Sequence, residues 1–357
     1  MTIYVTTSGG LLWDYLRYRR SLVTGDPFKR RAKCGGNVGS LGRPHRWAVL
    51  IPTALALGGA APGPIDLPGD TLFPESVSTL PNGSAFVGSV SGGVLRVSLV
   101  SGTVDRFIAP GSFESGSIYG VLADRRSGIL WVCSNDFRDR GIRIDGAAAG
   151  SRLIGFDLRS GQGRIALPLP GAKSVCNDIA IDRHGAVYIT DTSGPRIYRW
   201  REGEAALSLW FTDSLLESPR GGGLDGLAFA ADRNLYVNNY RSGALFRIAI
   251  RSDGSAGPVV KLRTSRPLEK PDGMRSLGGQ RLALAEGGGR ISAVTISGDS
   301  ATVEPLADAV VEPTGLSTFH QQIWFVSGQL SRLFGGPSVP ANAPVLPFRL
   351  SPVRYHH

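Results

Sequence analysis

The sequence predicts an all-β chain folded as a six-bladed β-propeller, and three observations carry that prediction. Short apolar runs rich in β-branched and aromatic residues recur along the chain, and runs of that length and composition read as strands rather than helices. They recur at a spacing of forty to fifty residues, the size of a propeller blade. Glycine is abundant, 48 of 357 residues, against a usual ~7%. It falls at turns between the runs and shows no Gly-X-Y period, so a collagen-like reading is excluded.

Taken in order, the first segment to account for is not propeller. Residues 1–42 form an extension without hydrophobic period, expected to be disordered or to reflect too early a start codon. Residues 43–61 follow the order of a secretory signal: Arg43-Pro-His-Arg46, an apolar stretch from Trp47 to Leu57, then Gly58-Gly-Ala-Ala61. That stretch is shorter than the ~20 residues a membrane span needs. The expected mature protein therefore starts near residue 62, is exported to the periplasm or medium, and has no stable membrane span.

The blades follow over residues 62–336. The second strand of each is legible as Gly83-Ser-Ala-Phe-Val-Gly88, Gly128-Ile-Leu-Trp-Val-Cys133, Gly185-Ala-Val-Tyr-Ile-Thr190, Asn234-Leu-Tyr-Val-Asn238, Gly279-Gln-Arg-Leu-Ala-Leu284 and Gln322-Ile-Trp-Phe-Val326. The third strands are Val94–Val97, Leu153–Phe156, Arg196–Trp200, Ala244–Ile248, Arg290–Val294 and Ser331–Phe334. One interval is long because residues 137–150 are inserted in the second blade, and such loops often shape the mouth of a site. The proline-rich tail 337–357 and residues 62–72 both compete to supply the strand that closes the ring.

Charge excludes one function class. The chain carries 39 basic and 29 acidic residues, a formal +10. Nine of the basic residues and two of the acidic ones lie in residues 1–46, so the repeats are nearly neutral and hold no phosphate-tracking stripe. Nucleic acid is not an expected partner; a small molecule is, and a monomer is the expected state.

In a propeller the innermost strands line a central channel, so the residues that open them face one another. The six openings read Pro74-Glu75-Ser76, Ile118-Tyr119-Gly120, Cys176-Asn177-Asp178, Leu224-Asp225-Gly226, Pro271-Asp272-Gly273 and Pro313-Thr314-Gly315. Asp-Gly and Asn-Asp also mark ordinary turns, and for any single blade that account suffices. Four oxygen-bearing side chains at one register suggest more. Glu75, Asn177, Asp225 and Asp272 would converge, and converging carboxylates repel and take up protons unless a cation compensates them. Oxygen donors of this kind suit Ca²⁺, with Mg²⁺, Mn²⁺ or Zn²⁺ as alternatives.

These residues resemble the family of senescence marker protein, gluconolactonase and luciferin-regenerating enzyme. The resemblance covers roughly residues 73–334. It rests on Phe73-Pro-Glu-Ser76, on Cys176-Asn-Asp-Ile-Ala-Ile-Asp182 with Gly185-Ala-Val-Tyr-Ile-Thr-Asp191, and on Leu224-Asp-Gly-Leu-Ala-Phe229 with Asn234-Leu-Tyr-Val237. It implies a six-bladed propeller with metal ligands at Glu75, Asn177 and Asp225, and with Asp225 also the catalytic carboxylate of a lactone or ester hydrolase. Such a metal would polarise the carbonyl and acidify water while a carboxylate accepts its proton. Asp272, Asn135 and Tyr119 are expected substrate contacts. The family's sugar-lactone hydrolases place an Arg and an Asn ahead of the second inner strand, where this chain reads Ser115-Gly-Ser-Ile-Tyr119, which argues against an aldonolactone. The competing reading is a non-catalytic propeller that binds a ligand or protein around a structural ion.

His184 and His320 fall at turns on the opposite face, which disfavours histidine-based hydrolysis. Trp131, Trp200, Trp210 and Trp324 read as packing residues. Cys133 and Cys176 lie near one face in adjacent blades, and two readings stand side by side: a disulfide, or two buried thiols.

Overall fold

The computed structural model describes residues 63–335 and 342–355. The extension and the signal-like segment lie outside them. No helix among the described residues is long and apolar enough to cross a membrane.

The strands form six antiparallel sheets, each built from consecutive strands of the chain, as a six-bladed β-propeller requires. The innermost strands are Pro74–Thr79, Ser117–Asp124, Cys176–Ile181, Leu224–Phe229, Pro271–Gly278 and Pro313–Phe319. Their neighbours within each blade bury both faces: Ile129–Asn135, Val187–Asp191 and Leu235–Asn239 are buried at every residue. This is why these runs read as continuously apolar rather than alternating. Trp131 and Trp324 are fully buried between blades, and Trp131 packs on Trp200 with ring centroids 5.2 Å apart. Blade five gains a fifth strand, Arg263–Thr264, parallel to its outer strand.

Blade six corrects the sequence-based reading. Ser331–Phe334 is not a strand: it lies in a short helix, Leu330–Phe334. Gln329, at φ 52, turns the chain there, and the Glu312 carboxylate accepts from both the amide and the hydroxyl of Ser331 at the first turn. The vacated slot is filled by Phe348–Arg354, which pairs with Gln322–Ser327 on one side and with Ile65–Leu67 on the other. Both ends of the domain thus close the ring, the tail as third strand and residues 65–67 as fourth. Pro352 is tolerated because its outward edge lies beyond the short pairing with Ile65–Leu67.

Candidate active site at the channel mouth

Every innermost strand breaks register with its neighbour at the opening residues. The interruptions fall between Pro74 and Ser76, Ile118 and Val121, Cys176 and Ile179, Leu224 and Leu227, Pro271 and Met274, and Pro313 and Leu316. Such a bulge removes a residue from the ladder and re-aims its side chain. The bulged residues include Glu75, Tyr119, Asn177, Asp225, Asp272 and Thr314, the positions the sequence aligned at one register. The backbone just before them is turned as well: Phe73, Lys270 and Glu312 have φ of 42, 53 and 38. A left-handed backbone at non-glycine residues is sterically costly and persists where surroundings enforce it.

The ring closes tightly because the next residue is small or hydrogen-bonded. A Cβ on Gly120 would overlap the Asn177 carbonyl oxygen, and one on Gly226 the Asp272 carbonyl oxygen. Where a side chain is present it satisfies the following blade: Val121 N–H donates to Ser76 Oγ at 3.2 Å, and Leu227 N–H to Asp178 Oδ2 at 3.2 Å. Second strands fix the same residues from behind. Thr190 Oγ1 donates to the Asp225 carbonyl at 2.7 Å, and Asn238 Nδ2 to the Asp272 carbonyl at 2.6 Å.

Glu75, Asn177, Asp225 and Asp272 are 4 to 6% exposed. Burial is the first cause that raises the Glu75 proton affinity well above the ordinary range, followed by the charges of Asp225 and Asp178, with Arg275 opposing. Asp225 and Asp272 are likewise pushed up, by burial and then by neighbouring carboxylates. The two carboxyls also hydrogen-bond to each other. Asp225 Oδ1 is buried with no partner, an exception among buried polar atoms. Asn177 is oriented by elimination: Thr192 Oγ1 donates its one proton to the Leu224 carbonyl at 2.7 Å and therefore accepts from Asn177 Nδ2 at 2.7 Å. The amide nitrogen is thereby anchored, and the Asn177 side chain also hydrogen-bonds Asp225.

Below this ring lies a pair that sequence reasoning missed. The Arg275 guanidinium donates to both oxygens of Asp178 at 2.7 and 2.9 Å, joining blades five and three across the channel. A bidentate arginine–carboxylate pair is the strong form of this contact.

The remaining expected residues divide between the site and its surroundings. Asn135 is 1% exposed and its amide holds blade three: Nδ2 donates to the Cys176 carbonyl at 2.8 Å, and Oδ1 accepts from Cys176 N–H at 3.0 Å and from Ser151 Oγ at 2.7 Å. It is an inter-blade clamp, with both the oxygen and the nitrogen of its amide engaged. Tyr119 stays at the site: burial and the Glu75 charge raise its phenol far above the ordinary value. Cys133 and Cys176 are joined in a disulfide, Cα to Cα 5.1 Å, tying blade two to blade three beside Asn177. His184 lines a separate groove of about 1380 Å³ that also takes in Asp124, Arg126 and Arg233, all at or just past the far ends of innermost strands.

The class this fold and site define is a propeller with a buried carboxylate cluster at one end of its channel. No protein-family model and no curated protein matches the sequence. Solved structures do match in fold. A luciferin-regenerating enzyme superposes with a TM-score of 0.59 at 11% identity, covering 82% of this chain and 96% of its own. A gluconolactonase from Xanthomonas campestris gives 0.56 at 16% identity, covering 82% and 95%. A calcium-binding protein, regucalcin, from Agrobacterium tumefaciens gives 0.54 at 15% identity, covering 82% and 95%. Likeness at this identity establishes the fold, and function must be argued from the site.

Proposed function

We propose that this protein hydrolyses a lactone or related ester with the help of a divalent cation, calcium foremost, held by Glu75, Asn177 and Asp225. The observation that carries the reading is the buried carboxylate cluster in which Asp225 leaves one oxygen without a partner. A proton or a cation can neutralise such a cluster, and the exclusively oxygen donor set suits a hard cation. Among the described residues no three His, Cys, Asp or Glu side chains are arranged to hold a metal. The proposed set relies on an amide, and on Asp225 exchanging its bond to Asp272 for the ion. A calcium-binding protein and a gluconolactonase among the fold's relatives support the choice.

When bound, the cation would supply Lewis acidity toward the acyl carbonyl and toward water. The chain's own residues do the rest. Asp225 accepts a proton from the attacking water as its oxygen bonds to the acyl carbon. The acyl carbon–oxygen bond then breaks, and the proton passes to the leaving alkoxide, giving a hydroxy acid or an acid and an alcohol. Asn177 is held in place through Thr192, and Asp272 remains beside Asp225 as a neighbouring carboxyl once their bond has been exchanged for the ion. Export belongs to the reading, supported by the Cys133–Cys176 bond, since disulfides persist in oxidising compartments.

The test is a panel of lactones and aryl esters assayed with calcium and with chelator, using the parent and Asp225→Ala. Turnover that chelator and the substitution each abolish supports the proposal. No turnover across the panel, with chelator lowering only the melting temperature, supports a non-catalytic binding propeller instead.

A further inference from the structure

The groove at the far end of the innermost strands collects arginine. It is formed by blades two, three and four, and each contributes two: Arg126 and Arg164, Arg183 and Arg201, Arg233 and Arg251. In each blade one follows the innermost strand and the other lies between the third and fourth strands or on the fourth. The matching inner turns of the remaining blades, residues 80–83, 279–280 and 320–321, hold no arginine or lysine.

These charges are left largely uncompensated. Only Arg164 pairs with a carboxylate, that of Asp157; the other five make no ion pair among the described residues. Three of them are oriented by neutral partners: Arg126 Nη1 donates to the Arg183 carbonyl at 2.7 Å, Arg183 Nε to His184 Nε2 at 2.9 Å, and Arg251 to the Ala256 carbonyl. The groove's aspartates are spent on their own turns. Asp124 accepts from the Arg126 amide and from Ser127, Asp182 from the His184 and Ala186 amides, and Asp253 from the amide and hydroxyl of Ser255. A guanidinium keeps its charge at any ordinary pH, so a groove lined this way draws anions.

Its floor is apolar. Ile129 and Trp200 are buried there, and Ile181, Phe229 and Ile250 are half-buried. The volume, about 1380 Å³, exceeds the roughly 300–1,000 Å³ of small-molecule sites. The lining holds six arginines against four carboxylates, a net of +2, and carboxylates interleaved with the arginines oppose a continuous phosphate backbone, which needs an unbroken basic track. Separate anionic side chains with apolar ones between them meet both the rim and the floor. The chain's own leader has the wrong sign, with nine basic and two acidic residues over residues 1–46.

We propose that this groove docks an acidic segment of a partner protein, in which Glu or Asp side chains alternate with large apolar ones. The guanidiniums take the carboxylates, in two-point contacts where both amino groups are free, and the apolar side chains lie on Ile181, Trp200 and Phe229. Docking here is independent of the hydrolase reading, because the carboxylate cluster lies at the opposite ends of the same strands.

Fluorescence anisotropy of the whole protein with a labelled peptide of alternating Glu and Leu tests the proposal. The parent should bind it, more weakly as salt rises. Arg201→Glu/Arg233→Glu places like charges against the peptide and should weaken binding by about tenfold or more. Both side chains are exposed and make no ion pair, so circular dichroism should show an unchanged fold; Arg201→Gln/Arg233→Gln serves if it does not. A peptide with Ser in place of Leu should bind about tenfold more weakly or worse, the equivalent of losing one buried leucine. No binding of the Glu-Leu peptide, or binding that the substitutions leave unmoved, would overturn the proposal. So would an oligothymidylate or phosphatidylglycerol vesicles bound more tightly than the peptide and released by the same substitutions, which would make the groove a phosphate site.

Discussion

Two levels of one channel treat buried charge in opposite ways. Midway, Asp178 meets Arg275 in a two-point ion pair and also accepts from the Leu227 amide. At the mouth, Glu75, Asp225 and Asp272 make no ion pair among the described residues, and burial together with neighbouring carboxylates raises their proton affinities. The lower pair is complete as it stands and holds blades together. The upper cluster is complete only with a proton or an added cation. A carboxylate cluster held by six bulged strands without a protein counter-charge is the arrangement on which the proposed function rests.

Breaking the comparison at the mouth should give the largest effect. Asp225→Ala should lower kcat by about 10²- to 10⁴-fold, the usual share of a general base, with the fold intact by circular dichroism. Breaking it midway should cost stability: Arg275→Met strands a buried carboxylate and should lower unfolding free energy by about 3–5 kcal/mol in urea titrations. The double variant Asp178→Asn/Arg275→Met should lose less, and equal losses would refute the pairing. Replacing Cys133 and Cys176 with alanine opens a link across 43 positions and should remove about 2–4 kcal/mol. Asn135→Ala should cost about 1–3 kcal/mol through the unsatisfied Cys176 backbone groups, without shifting KM.

The smallest effect is in pH. Glu75, Asp225 and Asp272 have folded-state affinities above their ordinary 4.5, 3.8 and 3.8, so the native state binds more protons than the unfolded one. Their contribution is present in acid and is lost as pH rises through the folded values. In chelator, melting temperature should therefore decline as pH rises from the ordinary carboxylate range toward neutrality, and calcium should flatten that decline. Glu286 acts in the opposite sense. It is buried, yet Arg266, Ser292 and the Glu269 amide hold it below 4.5, so its contribution is lost on acidification.

The six-fold repeat and the mouth residues were legible because each blade repeats the same local chemistry, and four oxygen-bearing side chains fell at one register. The Asp178–Arg275 pair left a fainter trace. Three residues past the mouth position the other blades carry Ser78, Leu122, Ala180, Ala228 and Ser317, so Arg275 stands alone at a channel-facing place, and Asp178 stands where four blades have glycine. Aligning the inner strands position by position would have found both. Ser331–Phe334 misled because four alternating residues fit one helical turn as well as a strand.

The central claim is that the mouth cluster binds a divalent cation, and calcium titration calorimetry of chelator-treated protein at neutral pH tests it most directly. The account predicts one calcium per chain in the parent, release of protons on binding, and loss of that binding in both Glu75→Gln and Asp225→Asn. No heat of binding in the parent, or binding that survives both substitutions, would contradict it.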